Sequence, residues 1–273
     1  MSDAAAPGRP DLAILVNSTD RYADTWAPFF TLFAAYWPGC PYEIVLNTET
    51  LDYRHPGLDI RVSRTWPDPA APRPDWSESL SRCLAGIDAA VVLYLQDDYF
   101  LNGPVDVEAV EQFARILEQE ARPHVLLREL AGSRHYEPLP DHAQLWRIPA
   151  RSPYLVSLQA GLWRREALQG LLRSGESPWQ FERWGTIRAR RAGLEFLCPN
   201  LDRYEWAGRP VIPYEPTGIV GGRWYAPAVV ELFDRHGIRV DFSDRGFYRM
   251  DRRERIVRGI RANLRRLAMR ITP

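Results

Sequence analysis

The segment Ala89–Leu101, AAVVLYLQDDYFL, constrains this chain of 273 residues more than any other. Its apolar run from Ala89 to Leu95 has the length and β-branched content of a strand buried on both faces, as in a sheet covered by helices on either side. The run breaks at Gln96-Asp97-Asp98. Two adjacent carboxylates at the end of a buried strand repel each other and lose solvent, and both effects raise the pKa of at least one of them. A divalent cation removes that cost, and Mg²⁺ or Mn²⁺ is typically held by one or two carboxylates plus substrate phosphates. A solvated turn carrying two acids is the other reading, and these three residues alone do not choose between them. Strand ends are also where open α/β sheets bind ligands.

The chain upstream supplies more of such a sheet. Asp11–Asn17 reads as a buried strand, Thr25–Trp37 as a helix stopped by Pro38-Gly39, and Tyr42–Leu46 as a second strand. A right-handed crossover brings Ser18-Thr19-Asp20 and Asn47-Thr48-Glu49 to one sheet edge. Those clusters either seat a nucleotide or cap helices. Leu58–Val62 reads as a short third strand, and the proline-rich stretch 65–76 as an irregular loop. Helices are expected over Ser77–Ile87 and Val105–Glu120, with a short strand at Val125–Leu127 between the second of these and an unpatterned stretch, Ala131–Pro149.

Farther on, Tyr154–Leu158 reads as a strand and Trp163–Leu172 as a helix. Ser177-Pro178 opens another helix, with serine as its cap and proline in its first position. Glu182 then lies near that helix's positive end, where it either serves chemistry or complements the dipole. In PVIPYEPTGIVGGRW, Gly221-Gly222 permits a tight turn, and Arg223 beyond it either reaches a phosphate or is a surface arginine. Pro227–His236 reads as a helix and Ile238–Phe242 as a short strand or extended piece.

Composition excludes several chemistries. All 35 basic residues are arginine, so neither a Schiff-base lysine nor a phosphate-loop lysine is available. Cys40, Cys83 and Cys198 are isolated, which suggests neither a disulfide framework nor a zinc site. The formal charge is zero, yet nine arginines against Asp251 and Glu254 make residues 249–273 +7 and leave −7 on the rest. In that tail Ile256, Ile260, Leu264, Leu267 and Ile271 share a helical stripe, so 249–271 is expected either to lie on an anionic membrane surface or to dock on the body. Nothing resembles a nucleic-acid module. No apolar leader or membrane-length run is visible, so a cytoplasmic protein is expected, with the inner face of the cell membrane as its second location.

Taken together, ILVNSTDRY…YEIVLNTE, DWSESL…AAVVLYLQDDYFL, SLQAGLWRREAL…GESPWQFE and IVGGRW resemble the bacterial GT-A-fold nucleotide-sugar glycosyltransferases of surface-polysaccharide and lipopolysaccharide assembly. The resemblance implies an α/β fold with a mostly parallel, Rossmann-like sheet flanked by helices. It places one catalytic domain at 11–248, after a disordered stretch at 1–10 and before the basic tail. By position, Asp98 takes the place of the main metal ligand, with Asp97 beside it, and Gln96 stands where family members often carry an acid facing the ribose or the metal shell. Ser18, Thr19, Asp20, Asn47 and Thr48 match places that hold the nucleoside. Arg223 matches a basic position near the diphosphate, and Glu182 the general base of inverting members, with Glu176 as the next candidate. Gln159 and Trp179 would flank the acceptor sugar. The implied activity is transfer from a nucleoside-diphosphate sugar, foremost a UDP-sugar, to a glycan or lipid-linked hydroxyl, with Mn²⁺ or Mg²⁺ as cofactor. A metal-dependent nucleotidyltransferase or phosphohydrolase, and a non-catalytic assembly or membrane adaptor with a relic site, are the competing classes.

Overall fold

The computed structural model describes residues 8–249 apart from 131 and 134. The expectations for the tail beyond 249 and for most of the N-terminal stretch therefore lie outside the described residues.

Strand β1 (Leu12–Asn17) is buried throughout, as its unbroken apolar run requires. It pairs in parallel with β2 (Glu43–Asn47) on one side and β4 (Val91–Gln96) on the other, and β3 (Ile60–Val62) adds in parallel to β2. The register sets Asn17 opposite both Asn47 and Gln96, so three strands end on one line. Beyond β4 the sheet becomes mixed. Antiparallel β8 (Gly161–Arg164) sits between β4 and β5 (His124–Leu126), followed by β9 (Phe196–Pro199) and the hairpin β7 (His142–Arg147) and β6 (Glu137–Leu139). Among the described residues this makes a nine-stranded sheet of order β3-β2-β1-β4-β8-β5-β9-β7-β6, and a separate pair joins β10 (Ile219–Val220) to β11 (Arg223–Trp224).

Period-two alternation along the central strands builds two cores. Ile14, Val16 and Leu93 face α1 (Ala23–Tyr36), α3 (Val107–Gln119) and α6 (Ala226–Arg235). Ala13, Leu15, Val92 and Tyr94 face α2 (Trp76–Ala85), α4 (Arg165–Leu171) and α5 (Pro178–Arg191). The α/β class with helices on both faces is therefore observed. No helix among the described residues is long and apolar enough to cross a membrane.

Three local expectations need correction. Tyr154–Leu158 is not a strand; the Val156 amide donates to Thr186 Oγ1 at 3.0 Å and the Leu158 amide to Glu182 Oε1 at 2.8 Å, so side chains satisfy what a ladder would have. The strand begins at Gly161 instead and takes Trp163 from the expected helix. The stretch 131–149, lacking apolar alternation, nevertheless carries the β6–β7 hairpin, whose edge position tolerates Pro138 and exposed polar side chains. Of the two readings of Ile238–Phe242, the strand is not formed.

His124 in β5 is fully buried, its ring 3.9 Å from that of Trp163, and neither ring nitrogen has a hydrogen-bond partner. Burial pushes its pKa down to about 3, because the charged ring would have nothing to solvate it. The unfolded chain thus takes up a proton that the folded one refuses as pH falls from the ordinary 6.5 toward 3. That single group costs stability at about 1.4 kcal/mol per pH unit within the window and nothing above it. His124→Leu is expected to flatten this component, so urea midpoints of the two proteins measured from pH 7 to pH 4 should move steadily apart in favour of the variant below pH 6.5. Parallel curves would show that the ring finds a proton acceptor.

Candidate active site

The line where β1 and β4 end opens into a cleft of about 710 Å³. Of the residues singled out from sequence, Ser18, Thr19, Gln96, Asp97, Asp98, Gln159, Trp179 and Glu182 all line it. Asp97 and Asp98 are only 6% and 8% exposed, so the solvated-turn reading does not hold.

The register explains the floor. Because Asn17 pairs with Gln96, the next residues, Ser18 and Asp97, meet across the two strands. The Ser18 hydroxyl accepts from Trp26 Nε1 at 2.7 Å and donates to Asp97 Oδ2, which also accepts from Thr25 Oγ1 at 3.1 Å. Burial, then the neighbouring charge of Asp98, pushes the Asp97 pKa up to about 8 against these hydroxyl bonds. Burial raises Asp98 as well, although its Oδ2 accepts from Thr217 Oγ1 at 2.7 Å and the Ile219 amide at 3.3 Å. Two buried acids whose ionisation is opposed by burial and by each other's charge fit a site where one divalent cation would offset that charge. Among the described residues no group of three His, Cys, Asp or Glu side chains converges, so a cation here would complete its shell with substrate oxygens and water.

The strap holding Asp98 depends on Gly218. Its amide donates to the Asp98 carbonyl at 2.8 Å, and a Cβ there would lie 2.2 Å from the Phe100 ring. Phe100 is fully buried against Trp224 and Phe233, so it has nowhere to retreat. Gly218→Ala is expected to cost about 1–3 kcal/mol of stability by overpacking, and to loosen Thr217 from Asp98. A thermal melt checks the first effect and Mn²⁺ titration the second; an unchanged melting temperature would mean the strap can lift at no cost.

On the opposite wall, Ser177 caps α5 in a reciprocal pair with Gln180, so Glu182 sits in the second turn. Glu182 Oε1 accepts from the Leu158 amide at 2.8 Å and Ser157 Oγ at 3.4 Å. Its burial raises the carboxyl above the ordinary range despite these bonds. Trp179, one turn earlier, is 77% exposed at the mouth, a flat apolar surface of the kind sugar rings stack on. Glu176 lies outside the cleft, clamped by Arg188 through bonds of 2.7 and 2.6 Å, which makes it a poor second base.

Four expected contacts fall elsewhere. Asn47 and Thr48 are buried and absent from the cleft, because their side chains hold the strand ends together: Asn47 Nδ2 donates to Asn17 Oδ1 at 2.8 Å and Thr48 Oγ1 to the Leu51 carbonyl at 2.8 Å. Asp20 caps the turn after β2, accepting from the Thr50 hydroxyl and from the Glu49 and Thr50 amides at 2.9 Å each; burial opposes its ionisation, but these bonds outweigh it and lower the pKa. Arg223 lines an adjoining groove of about 520 Å³ that shares Arg21, Gly221 and Gly222 with the cleft.

Sequence reasoning passed over Arg21 and Tyr22, which line the cleft next to the Ser18–Asp20 cluster. It also missed Arg245, which donates to Asp24 Oδ2 at 2.5 Å and to the Arg21 carbonyl at 2.8 Å, and lies over the Tyr22 ring. Proximity to the first cluster was a usable signal for Arg21; nothing local marks Arg245.

No protein-family model matches the sequence, and no curated protein does. Among solved structures, the chain is similar to S. aureus TarS 1–349, with 11% identity, a TM-score of 0.46, and coverage of 68% of this chain and 57% of that one. TarS 1–349 has also been solved in complex with UDP. A mycobacterial protein gives 16% identity and a TM-score of 0.46 over 85% of this chain and 76% of its own. CMP:2-keto-3-deoxy-manno-octonic acid synthetase complexed with CTP gives 16% identity and a TM-score of 0.38 over 68% and 88%. At such TM-scores these likenesses decide nothing about the chemistry of this chain.

Proposed function

We propose that the protein is a glycosyltransferase that moves a sugar from a nucleoside-diphosphate sugar to a hydroxyl of a glycan or lipid-linked acceptor, with inversion at the anomeric carbon. One observation carries this reading: a pair of buried strand-end carboxylates and a half-buried glutamate from a different element open into the same cleft. That is the arrangement needed to hold a diphosphate at one end and take a proton at the other.

Asp98, with Asp97 beside it, would hold Mn²⁺ or Mg²⁺. A cation bound there would neutralise charge growing on the departing diphosphate. Arg21 in the cleft and Arg223 in the adjoining groove supply guanidinium groups for the same oxygens. Ser18, Thr19 and Gln96 contact the nucleoside end. Glu182 accepts the proton of the attacking hydroxyl, and its raised pKa suits a base that must hold that proton. Trp179 stacks on the acceptor. Residues 11–248 form the catalytic unit, and the basic stretch 249–271 offers contact with an anionic membrane surface.

The test is a panel of nucleotide sugars, UDP-sugars first, with and without Mn²⁺, read by calorimetry and by release of nucleoside diphosphate. Saturable binding with slow donor hydrolysis is expected. Pyrophosphate release from a nucleoside triphosphate would identify a nucleotidyltransferase instead, and a cleft inert to both would identify an adaptor.

A further inference from the structure

Gln159 lies on the cleft wall one residue past Leu158, whose amide is held by Glu182. Its side-chain amide has a donor end and an acceptor end, and which one faces a substrate decides what it recognises. Here the surrounding bonds settle the orientation, because each chain of donors ends in a group that has no choice.

At one end, the Ala160 backbone amide donates to Tyr214 Oη at 3.1 Å, so the phenol's own hydrogen goes onward to Gln159 Oε1 at 2.9 Å. Arg128 Nη1, which is only a donor, reaches the same oxygen at 3.2 Å. At the other end, the Leu158 carbonyl accepts from Tyr99 Oη at 3.0 Å, which leaves the Tyr99 oxygen to accept from Gln159 Nε2 at 3.0 Å. The two phenol rings stack 4.8 Å apart and are buried, which fixes both hydroxyls in place. A flipped amide would set its NH₂ against the Arg128 guanidinium and the Tyr214 hydroxyl. Gln159 Oε1 thus has two donors, and one Nε2 hydrogen is committed to Tyr99. The second Nε2 hydrogen is what remains for the cleft.

We propose that Gln159 is a specificity-determining residue that presents a fixed N–H donor to the cleft Glu182 also lines, and so selects a substrate bearing an oxygen, rather than a protonated amine, near the reacting hydroxyl. This rests on the glycosyltransferase reading for the identity of the reacting hydroxyl, while the orientation of the amide does not. The chemical class that fits is a polyhydroxylated acceptor: the reacting hydroxyl donates to Glu182, and its neighbour accepts from Gln159. An ammonium group has no lone pair to offer and would face a donor.

Two measurements on the full chain keep the proposal separate from the function it builds on. In ¹⁵N-labelled protein, the Gln159 side-chain pair is identified by its absence in Gln159→Leu. One hydrogen is expected to exchange with solvent at least about tenfold more slowly than the other, and Tyr99→Phe should abolish the difference. Two equally protected hydrogens, or a difference indifferent to Tyr99→Phe, would overturn the orientation whatever the enzyme does. The second measurement uses glucose and glucosamine, the latter as its ammonium form, as probes titrated into wild type, Gln159→Glu and Gln159→Leu. Wild type should favour glucose, and Gln159→Glu should swing the ratio toward glucosamine by about tenfold, whereas Gln159→Leu weakens glucose without favouring glucosamine. Equal loss of both sugars in Gln159→Glu would mean that Gln159 only supports the wall. A normal exchange pattern in a protein that transfers no sugar would remove the proposed function and leave the donor geometry standing.

Discussion

Glu182→Gln is expected to leave donor affinity near wild type and to slow sugar transfer by about 10²–10⁴-fold, the usual worth of a positioned general base. The substitution is well matched to its surroundings. Glu182 Oε1 accepts from the Leu158 amide and the Ser157 hydroxyl, and a glutamine oxygen can take both bonds, so the 157–160 wall keeps its position. What changes is the second oxygen, which becomes an NH₂ group that cannot take a proton. Burial already raises this carboxyl, and its loss removes a desolvated charge, so stability should hold or rise. Single-turnover kinetics with donor affinity and a melting curve check all three expectations. Transfer at a wild-type rate would make Glu182 a structural acceptor for the Leu158 amide, and the clamping of Glu176 by Arg188 would then send the search for a base to a group outside the set proposed here.

Asp98→Asn should abolish the Mn²⁺-dependent part of donor affinity while the fold survives. The asparagine oxygen can still accept from Thr217 and the Ile219 amide, which keeps the strap closed. In metal-free protein the variant should be the more stable of the two at pH 8. The Asp98 charge is the second cause of the raised Asp97 pKa, so its removal lets Asp97 ionise at lower cost. A group whose folded pKa is raised gives stability that is present at low pH and lost as pH climbs through the folded value, so the two proteins should diverge toward pH 8 and converge near pH 4. Thr217→Val is the control, because it loosens the strap and keeps the carboxylate. If Mn²⁺ strengthens donor binding equally in wild type and Asp98→Asn, the carboxylate pair is not the cation site.

The parts of this architecture that were legible in the sequence are those whose own residues dictate them. The runs Leu12–Asn17 and Val91–Gln96 are apolar on both faces, and burial on both faces admits little but a central strand. Their polar ends therefore marked a place for a cleft, and Ser18, Asp97 and Asp98 all line one. The illegible parts depend on partners distant in sequence. Tyr154–Leu158 reads as a strand from its residue types, yet the Val156 and Leu158 amides are claimed by Thr186 and Glu182 from α5. Asn47 and Thr48 look like ligand contacts because they are polar at a strand end, yet the neighbouring strand and turn consume both side chains. Polar residue type alone does not distinguish a group aimed at a ligand from one that closes a turn. The orientation of Gln159 was equally hidden, since it is set by Tyr99, Tyr214 and Arg128 from three separate segments.

The alignment of Asn17 with both Asn47 and Gln96 has a consequence for how such a chain can vary. Deleting one residue of β1 ahead of Ile14 would swap the sides on which the following side chains emerge, sending Ile14 and Val16 to the wrong layer and swinging Ser18 away from Asp97 in the same stroke. Length changes are thus tolerable in the loops but lethal within this one pleated row. A chain that keeps this interior packed therefore keeps positions 18 and 97 face to face, whatever residues occupy them.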